Sequence, residues 1–141
     1  MKTQIISHQF DINPVPASRP RVSRWSTYYP KKYTKFKKDM EALTGELDTT
    51  PCESLVVVSL RFKIKIPQSW SKKKRLEREN TYCNNNSDID NYIKAMLDSL
   101  NGVYFIDDRQ VVEVFASKKY SNEPRILFTM MEMDNDKRGD V

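Results

Sequence analysis

Apolar and polar positions along the chain fall into periods that name most of its elements. Tyr33, Phe36, Met40, Leu43 and Leu47 recur at steps of three and four, which predicts an amphipathic helix with Pro30 in its first turn and lysines on the opposite side. Val58, Leu60, Phe62, Ile64 and Ile66 then alternate with Ser59, Arg61, Lys63 and Lys65, the pattern of a half-buried strand with a cationic outer face. Ile89, Tyr92, Ile93, Met96, Leu97 and Leu100 return to helical spacing, and Asn101-Gly102 stops that helix. Weaker signals predict a first strand over 4–12, an exposed loop over 14–29, a short charged helix over 71–79 and a loop over 80–87. Beyond the second long helix come an extended piece at 103–105, a turn at Asp107-Asp108, and strands over 111–120 and 125–132 that read as a hairpin-like pair. Strands interrupted by helices in this order predict an α+β fold: one small domain over 1–133, with a mixed sheet and two main helices. The last residues, 134–141, have nothing to bury and are expected to form a flexible tail.

Composition removes several classes of function. The 141 residues contain three Gly, 38% hydrophobic and 30% charged residues, and no apolar run of the roughly 18 residues that a membrane span needs. The opening residues are too polar for a signal peptide, so a cytoplasmic address is expected. With two cysteines, no CxxC and a single histidine, zinc sites of thiolate or imidazole and Ser-His-Asp or Cys-His catalysis are all disfavoured. His8 reads as a plain surface residue. Any metal chemistry must therefore rest on carboxylates.

The net charge of +5 is unevenly spread. Residues 1–80 carry 17 Lys and Arg against eight acids, whereas residues 81–141 carry seven against eleven. Arg19, Arg21 and Arg24 form a first basic cluster, Lys31, Lys32, Lys35, Lys37 and Lys38 a second, and Lys72, Lys73, Lys74, Arg75 and Arg78 a third. Such clusters suit a polyanion whose neutralised phosphates release counterions, although a solvated lysine-rich surface has the same composition. Trp25, Tyr28, Tyr29, Tyr33 and Phe36 interleave with the first two clusters, as stacking platforms for unpaired bases do. Tyr33 and Phe36 also fit the helix stripe, and are expected in the core.

The acids of the second half carry the chemistry. Asp90, Lys94 and Asp98 lie at i, i+4 and i+8 on one ridge of the second long helix, and Asp88 falls just before or in its first turn. Capping accounts for one acid at a helix start but not for two. Asp107-Asp108 likewise exceeds what a turn needs, and a short return could bring the pair back to the helix start. Four crowded carboxylates repel one another unless a cation sits among them, and an oxygen-only set favours Mg²⁺, with Mn²⁺ as a substitute. An EF-hand is excluded because Tyr92 and Ile93 occupy the positions of a ligand and the obligatory glycine. A DxD phosphatase is excluded because no hydrophobic strand precedes Asp88. A metal held by acids on a basic protein points to phosphodiester hydrolysis.

The run DIDNYIKAMLDSLNGVYFIDDRQVVEV resembles the signature of the RusA family of Holliday junction resolvases, which has D-x-D-N, a Lys four residues after the second Asp, Asp-x-Leu, Gly, and D-D-x-Q-V. Here these are Asp88, Asp90, Asn91, Lys94, Asp98, Leu100, Gly102, Asp107, Asp108, Gln110 and Val111. Pro14-Val15-Pro16 with Arg19-Pro20-Arg21 also looks like the family's N-terminal proline and arginine stretch. The resemblance implies a RusA-like endonuclease in which Asp88, Asp90 and Asp108 hold the metal, Asp107 is a further metal ligand or an acceptor beside them, and Lys94 is the catalytic lysine. It further implies a homodimer that resolves four-way or branched DNA by paired symmetric nicks, in a bacterial cytoplasm, from a host, phage or prophage gene.

Contact with DNA is expected from Arg19, Arg21, Arg24, Lys72, Lys73, Lys74 and Arg75. No membrane and no small-molecule cofactor is expected. Asp98, two turns from Asp90, is expected to be structural. Gln110 either supports the acidic turn or simply opens a strand. Two other readings stay open: a non-catalytic nucleic-acid-binding module, and a branched-DNA nuclease without four-way selectivity.

Overall fold

A computed structural model of the chain describes residues 4–133. The tail expected over 134–141 lies outside them. The elements in order are β1 (Ile5–Phe10), β2 (Arg21–Val22), β3 (Thr27–Tyr28), α1 (Lys31–Gly45), β4 (Val56–Lys65), α2 (Lys72–Arg78), α3 (Ile89–Leu100), a 3₁₀ turn (Asp108–Gln110), β5 (Val111–Ser121) and β6 (Arg125–Glu132). The main sheet runs β1-β6-β4-β5, with β4 antiparallel to β6 and parallel to β5. The architecture is thus the α+β fold with a mixed sheet that the periodicity predicts.

Burial explains the order. Every second residue of β4, from Val56 to Ile64, is buried, matching a strand with neighbours on both edges and one covered face. Ile126, Phe128 and Met130 of β6 and Phe10 of β1 extend the same face. Onto it pack α1, through Tyr33, Phe36 and Met40, and α3, through Tyr92, Ala95, Met96 and Leu100. Each such large side chain contributes about 1.5–3 kcal/mol by leaving water. The aromatic pair Phe62–Tyr92, with centroids 5.4 Å apart, fixes α3 against the central strand.

Five local expectations are corrected. β5 and β6 do not pair as a hairpin, because β4 lies between them and offers each a full ladder. Pro30 caps α1 from outside instead of sitting in its first turn. The loop over 14–29 contains the β2–β3 ribbon. Val103 and Tyr104 form a tight turn beginning at Gly102, whose positive φ of 78° a glycine adopts without strain, and only Phe105 of the expected extended piece is bridged, to Cys52 and Asn101. His8 is half-buried, its ring edge-on to Phe10 with centroids 4.4 Å apart.

Candidate active site

The site is assembled from the head of α3, the turn before β5 and a segment laid beside them. Asp88 stands at the N-cap of α3 with extended backbone, but its carboxylate makes no capping hydrogen bond. Capping therefore does not explain it, and its oxygens stay available. The approach to this cap is pinned from β5, where the Lys118 ammonium donates to Asn85 Oδ1 (2.8 Å) and to the Ser87 carbonyl. Asn85 in turn donates to the Tyr92 hydroxyl at 2.9 Å. On the other flank the Ala17 amide donates to the Asn91 carbonyl at 2.8 Å, laying residues 17–20 along α3.

Between that segment, α1 and α3 lies an open cleft of about 690 Å³. Asp88, Asp90, Lys94 and Asp98 line its acidic wall, with Arg19 and Lys37 among the cations that face them. Tyr29 and Tyr33, edge to face at 5.9 Å, form its aromatic side, and the Lys37 ammonium lies 4.4 Å from the Tyr29 ring centre. Partial burial of the Tyr33 hydroxyl, followed by the Asp98 charge, pushes its pKa up. A neighbouring depression sharing Ser18 and Tyr33 adds Arg21, Lys32 and Lys65. Carboxylates and cations thus line adjoining walls.

The Asp107-Asp108 pair divides its labour. Asp107 caps the 3₁₀ turn, its Oδ1 accepting from the Arg109 amide at 3.0 Å, and this bond above all draws its pKa down. Gln110 completes the cap: its Oε1 accepts from the Asp107 amide at 2.9 Å, and its side-chain amide donates to the carbonyls of Cys52 and Ser54, both at 2.8 Å. Only 8% exposed, Gln110 ties the acidic turn to the entrance of β4. The Asp108 carboxylate has its pKa raised, first by partial burial, then by its hydrogen bond with the Asp107 carboxylate and the charges of Asp107 and Asp98, with Lys94 acting against them.

These facts locate the expected residues. Asp88, Asp90 and Lys94 share one cleft, and Asp108 lies within electrostatic reach of Lys94 and Asp98. Lys94 pairs with Asp98, at 3.4 Å, and not with Asp90. Asp98 is therefore part of the site's electrostatics rather than remote from it, a role signalled by its place four residues after Lys94. Tyr29 and Lys37 are cleft residues that the motif does not reveal, because they arrive from α1 and the chain before it. Among the described residues no three acids, histidines or cysteines stand close enough to enclose an ion. The donor chemistry fits a hard divalent cation, since every candidate ligand is a carboxylate, but the acids are spread along the cleft rather than gathered.

Of the cations expected to meet DNA, Arg19 lines the acidic cleft, while Arg21 and Arg24 lie on the exposed ribbon. Lys72, Lys73, Lys74 and Arg75 form α2, a helix with no buried residue, started by Ser71 accepting from the Lys74 amide. Arg61, Lys63, Lys119 and Arg125 crowd the far side of the sheet. There burial, followed by these like charges, pushes the Lys63 pKa down.

The "Uncharacterized protein YqaN" of Bacillus subtilis (strain 168) is 30% identical over 129 residues, covering 85% of this chain and 91% of that protein. The family model described as "Endodeoxyribonuclease RusA" matches residues 11–131, taking in both the proline and arginine segment beside α3 and the acidic turn before β5. The chain belongs to the RusA endodeoxyribonuclease family.

Proposed function

We propose that the chain is a divalent-metal-dependent endodeoxyribonuclease that cuts branched DNA, resolving four-way junctions by paired nicks. The observation that carries this reading is the cleft that Asp88, Asp90 and Lys94 line together with Arg19 and Lys37, with the Asp108 charge felt by Lys94 and Asp98. Asp88, Asp90 and Asp108 are the residues to hold Mg²⁺ or Mn²⁺. A divalent ion held there would supply an acidified water and neutralise charge on the scissile phosphate. Asp107 keeps the turn in shape through its cap and so aims Asp108. Lys94, steered by Asp98, places its ammonium where charge develops on the phosphate. Arg19 and Lys37 hold the flanking phosphates, while Arg24 and the α2 lysines extend the track.

The test is cleavage of a labelled four-way junction beside matched duplex, flap and fork, with and without Mg²⁺. Symmetric nicks on the junction that vanish in Asp90→Asn while binding persists are expected. Equal cutting of flaps and forks would instead make it a broader branched-DNA nuclease. Binding without cleavage under any divalent ion would reduce it to a binding module.

Paired nicks require two copies, which a two-fold dimer supplies. The edge of β5 before Lys118 is open among the described residues, whereas farther along the Cys83 amide donates to Lys118 and the Tyr120 amide to Thr81. That open stretch carries exposed Val112, Val114 and Phe115, the last 64% exposed, an edge that proteins ordinarily blunt or cover. We place the second copy there. Phe115→Lys is expected to yield a monomer in sedimentation that nicks junctions one strand at a time. A dimer of unchanged affinity would move the interface elsewhere.

A further inference from the structure

Between Ile12 and Lys38 the chain holds eight Lys and Arg and no Asp or Glu. Inside this acid-free stretch, β2 and β3 form a ribbon in which every residue from Arg19 to Tyr29 is exposed. Two strands of two residues do not persist on pairing alone. The turn holds them: the Ser23 amide donates to the Ser26 carbonyl at 2.7 Å, and Ser23 Oγ accepts from the amides of Trp25 and Ser26 at 3.3 and 3.0 Å. A locked turn thus presents Trp25, 86% exposed, at the tip of an arm. The Arg24 guanidinium lies over the Trp25 ring, 5.3 Å from its centre, and the indole stays largely open to solvent. At its root the arm joins Arg19, Pro20 and Tyr29, which line the acidic cleft.

Folding gains nothing from an indole so placed, since none of the arm's residues enters the core. The surrounding charge selects a polyanion, and a flat apolar ring selects the face of a base over a phosphate. Continuous duplex hides those faces in its own stack. A branch point exposes them, because bases there are unpaired or easily unstacked.

We infer that Trp25 is a specificity-determining residue that stacks on a base exposed at the branch of the DNA, and thereby sets the preference for branched over continuous duplex. The inference rests on the nuclease reading of the neighbouring cleft. Arg24 backs the indole and reaches the adjoining phosphate, so the stack and the charge act on the same nucleotide.

Emission from Trp25 tests this directly. The chain has two tryptophans, and Trp70→Phe leaves Trp25 as the only reporter. Titration with a four-way junction in EDTA is expected to quench that emission, and matched duplex is not. Trp25→Ala is expected to weaken junction binding roughly 5- to 100-fold, the range of one lost base stack, with duplex binding unchanged and with most of the loss restored by Trp25→Tyr. Unchanged emission and unchanged affinity in a protein that still cuts junctions would overturn the inference and leave the nuclease standing. Equal quenching by duplex would also overturn it. Emission that varies with protein concentration without DNA would assign the arm to a protein contact instead. Failure to bind any branched DNA would overturn both readings.

Discussion

Asp108→Asn is expected to lose DNA cleavage by at least about 10²–10³-fold and yet to melt about 1–3 °C above the native sequence when divalent ions are absent. Both effects come from the same carboxylate. Asp108 is partly buried, faces Asp107 and Asp98, and has only Lys94 in opposition, so without a cation the folded state carries a repulsion that the unfolded chain does not. Asparagine keeps the shape and removes the charge. Solvent screening keeps the gain small. The sign follows from the raised pKa: the folded state binds this proton more tightly than the unfolded state, so the penalty is full above the folded pKa and fades as pH falls through it. The melting difference between variant and native protein should therefore shrink in acid. Asp107→Asn should move the other way, because the Asp107 charge is stabilised by the Arg109 amide. Thermal melts of both variants in EDTA at neutral and acidic pH provide the check, and a lower melting point for Asp108→Asn would refute the account.

Gln110→Leu has the largest expected effect on stability. It strands three groups at once: the carbonyls of Cys52 and Ser54 and the amide of Asp107. At about 1 kcal/mol or more for each unmet group the loss is about 3 kcal/mol, or about 10 °C in a domain of this size. The functional consequence is separable from the loss of stability. With the cap undone, Asp108 is no longer held toward Lys94, so the Mg²⁺ concentration for half-maximal cleavage should rise at a temperature where the variant is fully folded. Junction binding in EDTA should stay as it was. A variant that melts early but needs no additional Mg²⁺ would show that Gln110 serves only the sheet.

The two long helices and the central strand were legible because their burial follows one period from end to end. Tyr33, Phe36 and Met40 repeat the helical stripe, and β4 alternates without a break. The acid pair at the start of α3 and the pair before β5 were legible as motifs. What the motif could not supply was pairing across space. Lys94 chooses Asp98 over Asp90, and Gln110 spends its side chain on residues more than fifty positions away. The β5–β6 relation failed for a similar reason: short separation suggests a hairpin, but β4, ten residues long, competes for both strands. The β2–β3 ribbon buries nothing, so no hydrophobic period announces it; its signal was the pair of serines around Arg24-Trp25.

The place of β6 bears on how the protein is made. This strand, last in sequence among those described, lies between β1 and β4, pairing Ile5 with Met131 and Val58 with Met130. Until it emerges from the ribosome, β1 has no partner and one edge of β4 stays bare, whatever has formed upstream. Contacts spanning nearly the whole chain also make for slow folding. A chain terminated before Arg125 would carry every acid of the cleft on an unfinished sheet, offering proteases its open edges in place of a working nuclease.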